Sequence, residues 1–245
     1  MSDVMEVREP SIGQNIKTIE SITGDVFEYD GKDFIGDIHP EADATKFEII
    51  EVNPMIVANL YKCELNNPYH MIVNSITPLD KSYVPENLYK PNVRFATDDD
   101  VEKNYMEYVA GISLEKLFQA ALEDGIRLIA VSGYRQYKRQ EVLYNSAIAN
   151  MGRNQRTTAS AGTSEHQTGL AMDLNQLNVS FGETKEGKWV ARNAHKFGYI
   201  VRYPKDKEDI TGITYEPWHI RYVGMELAKV CYEQNLTLEE LIRCC

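Results

Sequence analysis

The 245-residue sequence has few cysteines, no long apolar run and no excess of positive charge. Cys63, Cys231, Cys244 and Cys245 show no CxxC spacing, and the adjacent pair at 244 and 245 could form a bridge only with strain. We therefore expect buried or terminal thiols instead of a disulfide framework. Lys and Arg total 26 against 37 Asp and Glu, and no basic run is interleaved with aromatic residues, which argues against nucleic acid as a partner.

The sequence also lacks a candidate membrane-spanning segment. No stretch approaches the roughly 18 apolar residues that a spanning helix needs. The opening MSDVMEVREPSIGQNIK lacks the charged and then apolar order of a secretory signal. We expect a soluble, monomeric chain that acts in the cytoplasm, or in the cell envelope if an export signal or anchor has been removed.

The organisation predicted along the chain is an N-terminal extension followed by one domain. Residues 1–65 combine short β-rich pieces, DVFEYDG and KFEIIEV, with Gly, Asp and Pro, and carry no cluster of reactive side chains. Residues 66–245 are predicted to form the domain. Pro78, Pro85 and Pro91 forbid a long helix at its start and indicate an extended strap.

Helices and strands are intermixed in the remainder of the domain. Ser113 is predicted to cap a first helix that Gly125 ends, and a second helix is predicted over 136–151 with Gly152 as its stop. A strand (IRLIAVSG) lies between them. The later segments LAMDL, YIVRY and ITYEPWHIRYV are predicted strands, KWVARNAHKFG is a predicted helix, and two helices close the chain, the second with a Thr237–Glu240 capping box. Without a regular βαβ repeat, this pattern predicts an α+β domain with a small, mostly antiparallel sheet flanked by helices.

Two short motifs carry the strongest chemical signal. SEHQTGLAMD (164–173) contains His166 and Asp173, and YEPWH (215–219) contains Glu216 and His219. Catalytic zinc usually takes three protein ligands and leaves a fourth position for water. Two imidazoles and one carboxylate meet that count, and Glu216, three residues before His219, is placed to act as a base. The residues therefore favour metal-assisted hydrolysis.

Plainer interpretations exist for the individual residues. An H-x6-D pair arises often by chance, and a Glu on a strand edge is most often a surface group. His195, His39 and His70 are expected to be ordinary residues, in a helix, an acidic loop and a hydrophobic strand respectively. Trp218 is expected to form a wall of the site.

Arg135 is the candidate for recognition of a chain terminus. It follows the first buried strand, and a guanidinium binds a carboxylate through two parallel hydrogen bonds. Gln140 and Ser164 are secondary candidates for contacts to a peptide. Glu165 is either a partner of a metal ligand or a surface residue, and we expect the surface.

The sequence resembles the VanY-type D-alanyl-D-alanine carboxypeptidases, zinc metallopeptidases that also include L,D-carboxypeptidases and bifunctional D,D-peptidases. The resemblance rests on four blocks and covers roughly residues 70–242: SGYRQYKRQ, GTSEHQTGLAMDL, FGYIVRYPKDKEDITGITYEPWHIRYVG and LTLEEL. One departure is Ala161 in the loop before SEHQTG, where the family often has proline. The resemblance implies the D-Ala-D-Ala metallopeptidase (hedgehog-like) fold.

The resemblance also implies roles for the candidate residues. It assigns Zn²⁺ to His166, Asp173 and His219, the general base to Glu216, and the substrate terminus to Arg135, Gln140 and Ser164. The implied substrate is a peptidoglycan stem peptide that loses its C-terminal D-alanine.

Several alternatives stay open at this point. An L,D-carboxypeptidase, a D,D-dipeptidase and an endolysin-like wall hydrolase would use the same groups. A non-catalytic module that retains zinc for structure or wall binding is a further alternative, but it would have no need of Glu216 beside His219.

Overall fold

The computed structural model describes residues 18–20, 26–29, 34–35 and 67–243. Contacts between Cα atoms divide the chain into two units, Met1–Cys63 with Cys244–Cys245, and Glu64–Arg243. In the first unit, strands β1 (Thr18–Glu20), β2 (Val26–Tyr29) and β3 (Phe34–Ile35) form an antiparallel sheet in that order. The strand predicted in DVFEYDG is thus present as β2, while KFEIIEV, Cys63, Cys244 and Cys245 lie outside the described residues.

The second unit contains six further strands and six α-helices among its described residues. The strands are β4 (Leu88–Tyr89), β5 (Met106–Glu107), β6 (Ala130–Ser132), β7 (Ala171–Leu174), β8 (Tyr199–Tyr203) and β9 (Glu216–Tyr222). The helices are α1 (Tyr108–Glu123), α2 (Tyr137–Met151), α3 (Lys185–Asn193), α4 (Glu208–Thr211), α5 (Met225–Glu233) and α6 (Leu238–Arg243). No helix of residues 67–243 is both long and apolar enough to span a bilayer.

A four-stranded antiparallel sheet, ordered β6-β7-β9-β8, organises this unit. The predicted α+β class with a small antiparallel sheet is therefore confirmed. Its central strands are almost fully buried, and the apolar side chains of β7 and β9 join those of α1 in one core. Pro217, predicted at a strand edge or bend, lies near the start of β9, where the register with β8 shifts and β7 does not pair. This position suits a residue that has no N–H to donate.

The predicted start of the first long helix was wrong. The helix begins at Tyr108, because Glu107 accepts hydrogen bonds from the free N–H groups of Val109 and Ala110. Ser113 lies inside the helix, buried, and donates to the carbonyl of Phe197 at 2.6 Å. A buried tertiary hydrogen bond replaces the capping role that the sequence suggested.

Other predicted boundaries agree closely with the structure. The second helix runs from Tyr137 to Met151 and ends at Gly152, and Thr237 and Glu240 exchange the two hydrogen bonds of a capping box. The helix predicted through KWVARNAHKFG is α3 followed by a 3-10 turn that ends at Gly198. The strand predicted in IRLIAVSG is shorter than expected, because only Ala130–Ser132 is paired with β7.

The extended strap predicted in NSITPLDKSYVPENLYKPN is confirmed, because no helix forms over residues 74–92. It is attached by hydrogen bonds to the first motif, SEHQTGLAMD, and to the loop before it. Leu79 donates its backbone N–H to the carbonyl of Gly162, and the Gln167 side chain donates to the carbonyls of Asp80 and Tyr83. The strap thereby holds the SEHQTG segment against the sheet.

Candidate metal centre and substrate cleft

Strand pairing places two of the candidate ligands side by side. Asp173 on β7 and His219 on β9 are direct cross-strand partners, so their side chains project from the same face of the sheet. His166 comes from a short 3-10 helix, Glu165–Thr168, immediately before β7. Gly169 adopts φ +70° at the end of that helix and turns the chain into the strand. This turn brings the side chain of His166 close to that of Asp173, as predicted for a loop that leads into a strand.

The three candidate ligands form one buried cluster. One ligand atom from each of His166, Asp173 and His219 lies within 4.8 Å of the others. His166 Nε2 is 3.3 Å from Asp173 Oδ2, and His219 Nδ1 is 3.0 Å from Asp173 Oδ1. The three residues are three to five per cent exposed. Two imidazole nitrogens and a carboxylate in this arrangement match the donor set and count of a catalytic zinc site.

The orientation of His166 is set by the backbone of a neighbouring segment. Its Nδ1 lies 2.8 Å from the carbonyl oxygen of Gly133, so Nδ1 donates there and Nε2 is left for a metal. Gly133 is required at this point, because a Cβ would lie 2.4 Å from the carbonyl oxygen of Tyr105. Sequence reasoning did not identify Gly133, although SGYRQ places it two residues before Arg135.

Glu216 lies at the edge of the cluster. Its Oε2 is 3.9 Å from His219 Nδ1, and its side chain is buried at the start of β9. From the protein groups alone, burial raises the pKa of Glu216 to about 7, against the opposing effect of His219. A carboxyl group with a pKa near neutrality is suited both to accept and to return a proton.

The charges on the cluster depend on the contacts between its carboxylates and its histidines. Burial opposes ionisation of Asp173, but His166 and His219 hold its pKa below the usual range. Burial also disfavours a charged His219, yet its contacts with Asp173 and Glu165 outweigh burial and raise its pKa to about 9. Burial and the charge of Arg135 lower the pKa of His166. The chain alone therefore holds a proton on His219, which a metal ion would have to displace.

Arg135 lies between the cluster and a cavity. It donates to Gln140 Oε1 at 2.8 Å and to Ser132 Oγ at 2.9 Å, and its Nη2 is 3.8 Å from Asp173 Oδ2. Gln140 is itself fixed by donating to the carbonyl of Ala159. In this structure Gln140 therefore orients Arg135. Ser132, which sequence reasoning missed, shares that task.

The cavity beside Arg135 has a volume of about 340 Å³. Its lining is mixed in charge and partly apolar: Val101, Glu102, Lys103, Ser132, Arg135, Arg139 and Leu143. Ser164, predicted to contact substrate, is buried directly before the 3-10 helix that carries His166.

Glu165 was expected at the surface, and this prediction was wrong. Its side chain is fully buried and pairs with Arg202 and Arg221, each 2.7 Å from Oε1. Arg202 also pairs with Glu239 of α6. Burial favours the neutral acid, but the two guanidinium groups hold the pKa of Glu165 well below its usual range.

Among the described residues, the possible metal ligands that cluster do not include His70 or His195. His70 lies in a 3-10 helix, Pro68–His70, and not in the predicted strand. His195 stacks on Tyr232 with ring centroids 3.7 Å apart. His39 lies outside the described residues, and Trp218 packs partly buried against the core.

Comparison with known proteins places this geometry in a family. The family model described as VanY: D-alanyl-D-alanine carboxypeptidase matches residues 103–225. The protein YodJ of Bacillus subtilis (strain 168) is 45% identical over 186 residues, which cover 72% of this chain and 68% of that protein.

Two solved structures are similar as well. The LdcB LD-carboxypeptidase is 41% identical with a TM-score of 0.68, covering 82% of this chain and 92% of that one. A mutant of the vancomycin resistance D,D-pentapeptidase VanY, solved in complex with Zn(II), is 32% identical with a TM-score of 0.60. The match covers 72% of this chain and 99% of that one.

The fold and the site together define a zinc metallo-carboxypeptidase. The buried His–Asp–His cluster, the adjacent carboxylate and the arginine beside them occur within the matched segment. The chain belongs to the VanY family of D-alanyl-D-alanine carboxypeptidases.

Proposed function

We propose that this protein is a zinc-dependent carboxypeptidase that removes the C-terminal D-alanine from peptidoglycan stem peptides. The observation that carries the proposal is the buried cluster of His166, Asp173 and His219 with Glu216 Oε2 at 3.9 Å from His219. A binding-only module would need the three ligands but not a buried carboxyl group beside them. The proposal also draws on the family, whose description names D-alanyl-D-alanine as the substrate class.

The donor set fits zinc. His166 would bind through Nε2, because its Nδ1 is engaged by the Gly133 carbonyl, and His219 would bind through Nδ1, which faces Asp173. When bound, zinc supplies Lewis acidity that polarises a carbonyl group and lowers the pKa of water.

Glu216 would move the proton during hydrolysis. Its carboxylate accepts a proton from the attacking water and donates it to the amine of the departing alanine, which balances the cleavage of one peptide bond by one water molecule. Burial raises the pKa of Glu216, which favours its holding the proton between the two transfers.

Arg135 would hold the free carboxylate of the substrate. Ser132 and Gln140 fix its guanidinium group beside Asp173, and the rigid fork of an arginine matches a carboxylate. This contact explains how the enzyme would act on a chain terminus and not on an internal bond.

A second candidate is an L,D-carboxypeptidase, which cleaves before a single terminal D-alanine. The observation that favours it is the similarity to the LdcB LD-carboxypeptidase, which is higher in identity and TM-score than the similarity to the zinc-bound VanY. Both activities need the same ligands, base and arginine, so the two differ in the residue that precedes the cleaved bond.

One experiment separates the candidates. Zinc-loaded protein is incubated in parallel with a stem pentapeptide ending in D-Ala-D-Ala and a tetrapeptide ending in one D-Ala. The masses of the products are measured by mass spectrometry. Loss of alanine from the pentapeptide alone supports the D,D-activity, and loss from the tetrapeptide supports the L,D-activity. Glu216→Gln protein serves as the control for contaminating peptidases. No loss from either peptide, with zinc bound, would reject both.

A further inference from the structure

A buried ion network lies directly behind the metal ligands. It joins four residues that are at most two per cent exposed: Glu165, Arg202, Arg221 and Glu239. Two carboxylates face two guanidinium groups, so the network is balanced in charge. Because packed apolar residues of similar volume are often at least as stabilising as a buried ion pair, stability alone does not explain the network.

The two oxygens of Glu165 face different partners. Oε1 accepts hydrogen bonds from Arg202 Nε and Arg221 Nη1, both at 2.7 Å. Oε2 points to His219 Nε2, 3.5 Å away. Within residues 67–243, both Oε2 and His219 Nε2 are buried and have no hydrogen-bond partner. These two atoms are therefore the natural partners of each other.

This contact occurs on the side of His219 that faces away from the cluster. The opposite nitrogen, Nδ1, faces Asp173 at 3.0 Å. A proton held on Nε2 by Glu165 leaves the lone pair of Nδ1 for a metal ion. His166 is held in the same way by the Gly133 carbonyl, but a neutral carbonyl is a weaker partner than a carboxylate.

We propose that Glu165 is a positioning residue, which fixes His219 with Nδ1 towards the metal and is itself held by Arg202 and Arg221. The inference rests on the zinc site of the proposed function and adds to it a requirement for one particular carboxylate. Arg221 also donates to the carbonyls of Tyr69 and Met71, so the segment that precedes the strap contributes to the same arrangement.

A carboxylate is required at position 165, because an amide cannot serve both sides. In Glu165→Gln the new NH₂ group must face either the two guanidinium groups or the Nε2–H of His219. Each orientation places a donor against a donor. The substitution keeps the size of the side chain and therefore tests the hydrogen-bonding role specifically.

Glu239→Gln is the matched control. Glu239 belongs to the same network and binds Arg202 through both of its oxygens, so the same substitution there removes the same charge and places a donor against the same guanidinium. It leaves the contact between Glu165 and His219 in place. Any general effect of disturbing the network appears in both variants.

The experiment measures zinc affinity by competition with a chelator, and the visible absorption of the cobalt-loaded protein, in the full chain. Glu165→Gln is expected to weaken zinc binding by roughly 10- to 100-fold and to change the cobalt spectrum, as loss of a ligand's hydrogen-bond partner does elsewhere. Glu239→Gln is expected to retain both the affinity and the spectrum. Equal affinities in folded Glu165→Gln and wild-type protein, or equal losses in the two variants, would overturn the inference.

Two further proteins complete the test. If Glu165→Gln does not fold, Glu165→Asp keeps the charge but withdraws the carboxylate from His219, and it should still weaken zinc binding; wild-type affinity in this variant would overturn the inference. His219→Ala should lose tight zinc binding. Failure of the wild-type protein itself to bind zinc would reject the proposed function, whereas an unaffected Glu165 variant alongside a zinc-binding wild type rejects the inference alone.

Discussion

Glu216 contributes no atom to the three-ligand cluster, yet it lies against one of the ligands. Replacing Glu216 with Gln should therefore leave zinc content unchanged. It should lower kcat by roughly 10² to 10⁴, because a positioned base contributes that factor. Metal analysis and steady-state kinetics on the same preparation check both parts. An unchanged kcat would remove Glu216 from the proton transfer.

Arg135 is expected to act on the free carboxylate of the substrate. Arg135→Lys keeps the charge but loses the planar fork, so kcat/KM for a peptide with a free C-terminus should fall by about 10-fold or more, corresponding to at least ~1.4 kcal/mol. Arg139→Lys is the matched control, since Arg139 lines the same cavity but makes no described contact with Asp173. Kinetics with a C-terminally amidated peptide should show little difference between wild type and Arg135→Lys. A loss of equal size on the amidated peptide would contradict the assignment.

The sequence predicted the roles of some site residues but not of others. The candidate ligands lie in two short motifs whose residue types indicate metal binding, and the structure brings them together. Glu165 could not be placed, because its environment depends on Arg202, Arg221 and Glu239, which are distant in sequence. One signal was available: YIVRY and HIRYV each carry an arginine within an apolar strand. A charged residue at such a position needs a buried partner.

At the scale of elements, the site depends on the turn between the 3-10 helix and β7. Gly169 has φ +70°, and a Cβ there would lie 2.8 Å from the backbone nitrogen of Glu107. Gly169→Ala should therefore lower the free energy of unfolding by more than the ~1–2 kcal/mol that a left-handed alanine costs by itself. It should also weaken zinc binding, because the turn aligns His166 with Asp173.

Gly212→Ala is the control for that substitution. Gly212 is also left-handed, with φ +78°, but no atom lies within 4 Å of its added Cβ. Denaturant unfolding should show the smaller loss of stability in this variant, with zinc affinity retained. A Gly169→Ala protein that is as stable as Gly212→Ala would argue against the close approach of Glu107.

The elements themselves were predictable where local patterns decide them. The strands β7, β8 and β9 follow apolar segments, and the helix over 137–151 ends at Gly152, where its local sequence predicts the stop. The start of α1 was not predictable, because the capping group is Glu107, a residue of β5 that no local pattern separates from the helix. The order of strands in the sheet also depends on long-range pairing that the local sequence does not encode.

At the scale of the whole molecule, metal binding and stability should be coupled. A ligand that binds only the folded chain stabilises it by RT ln(1 + [L]/Kd), which is about 2.7 kcal/mol at 100 times Kd. The midpoint of thermal unfolding should therefore rise with the logarithm of the zinc concentration. His219→Ala protein should show no such rise over the same range, and a rise equal to that of the wild type would place the ion elsewhere.

The division of the chain into two units leads to a further prediction. All of the described candidate ligands, the base and the arginine lie within residues 64–243. A chain that begins at residue 64 should therefore keep zinc affinity and hydrolysis of a soluble stem peptide close to those of the full chain. The measurement is kcat/KM for both proteins; a loss of more than 10-fold would assign residues 1–63 a part in catalysis.

The pairing of Glu239 with Arg202 has a consequence for the timing of assembly during translation. A nascent chain that has emerged only as far as residue 230 already carries His166, Asp173, Glu216 and His219. It still lacks the carboxylate that binds Arg202 through both oxygens. The support behind the hydrolytic site is therefore complete only after α6 has left the ribosome, so a prematurely terminated product would contain every reactive group without the finished framework that holds them.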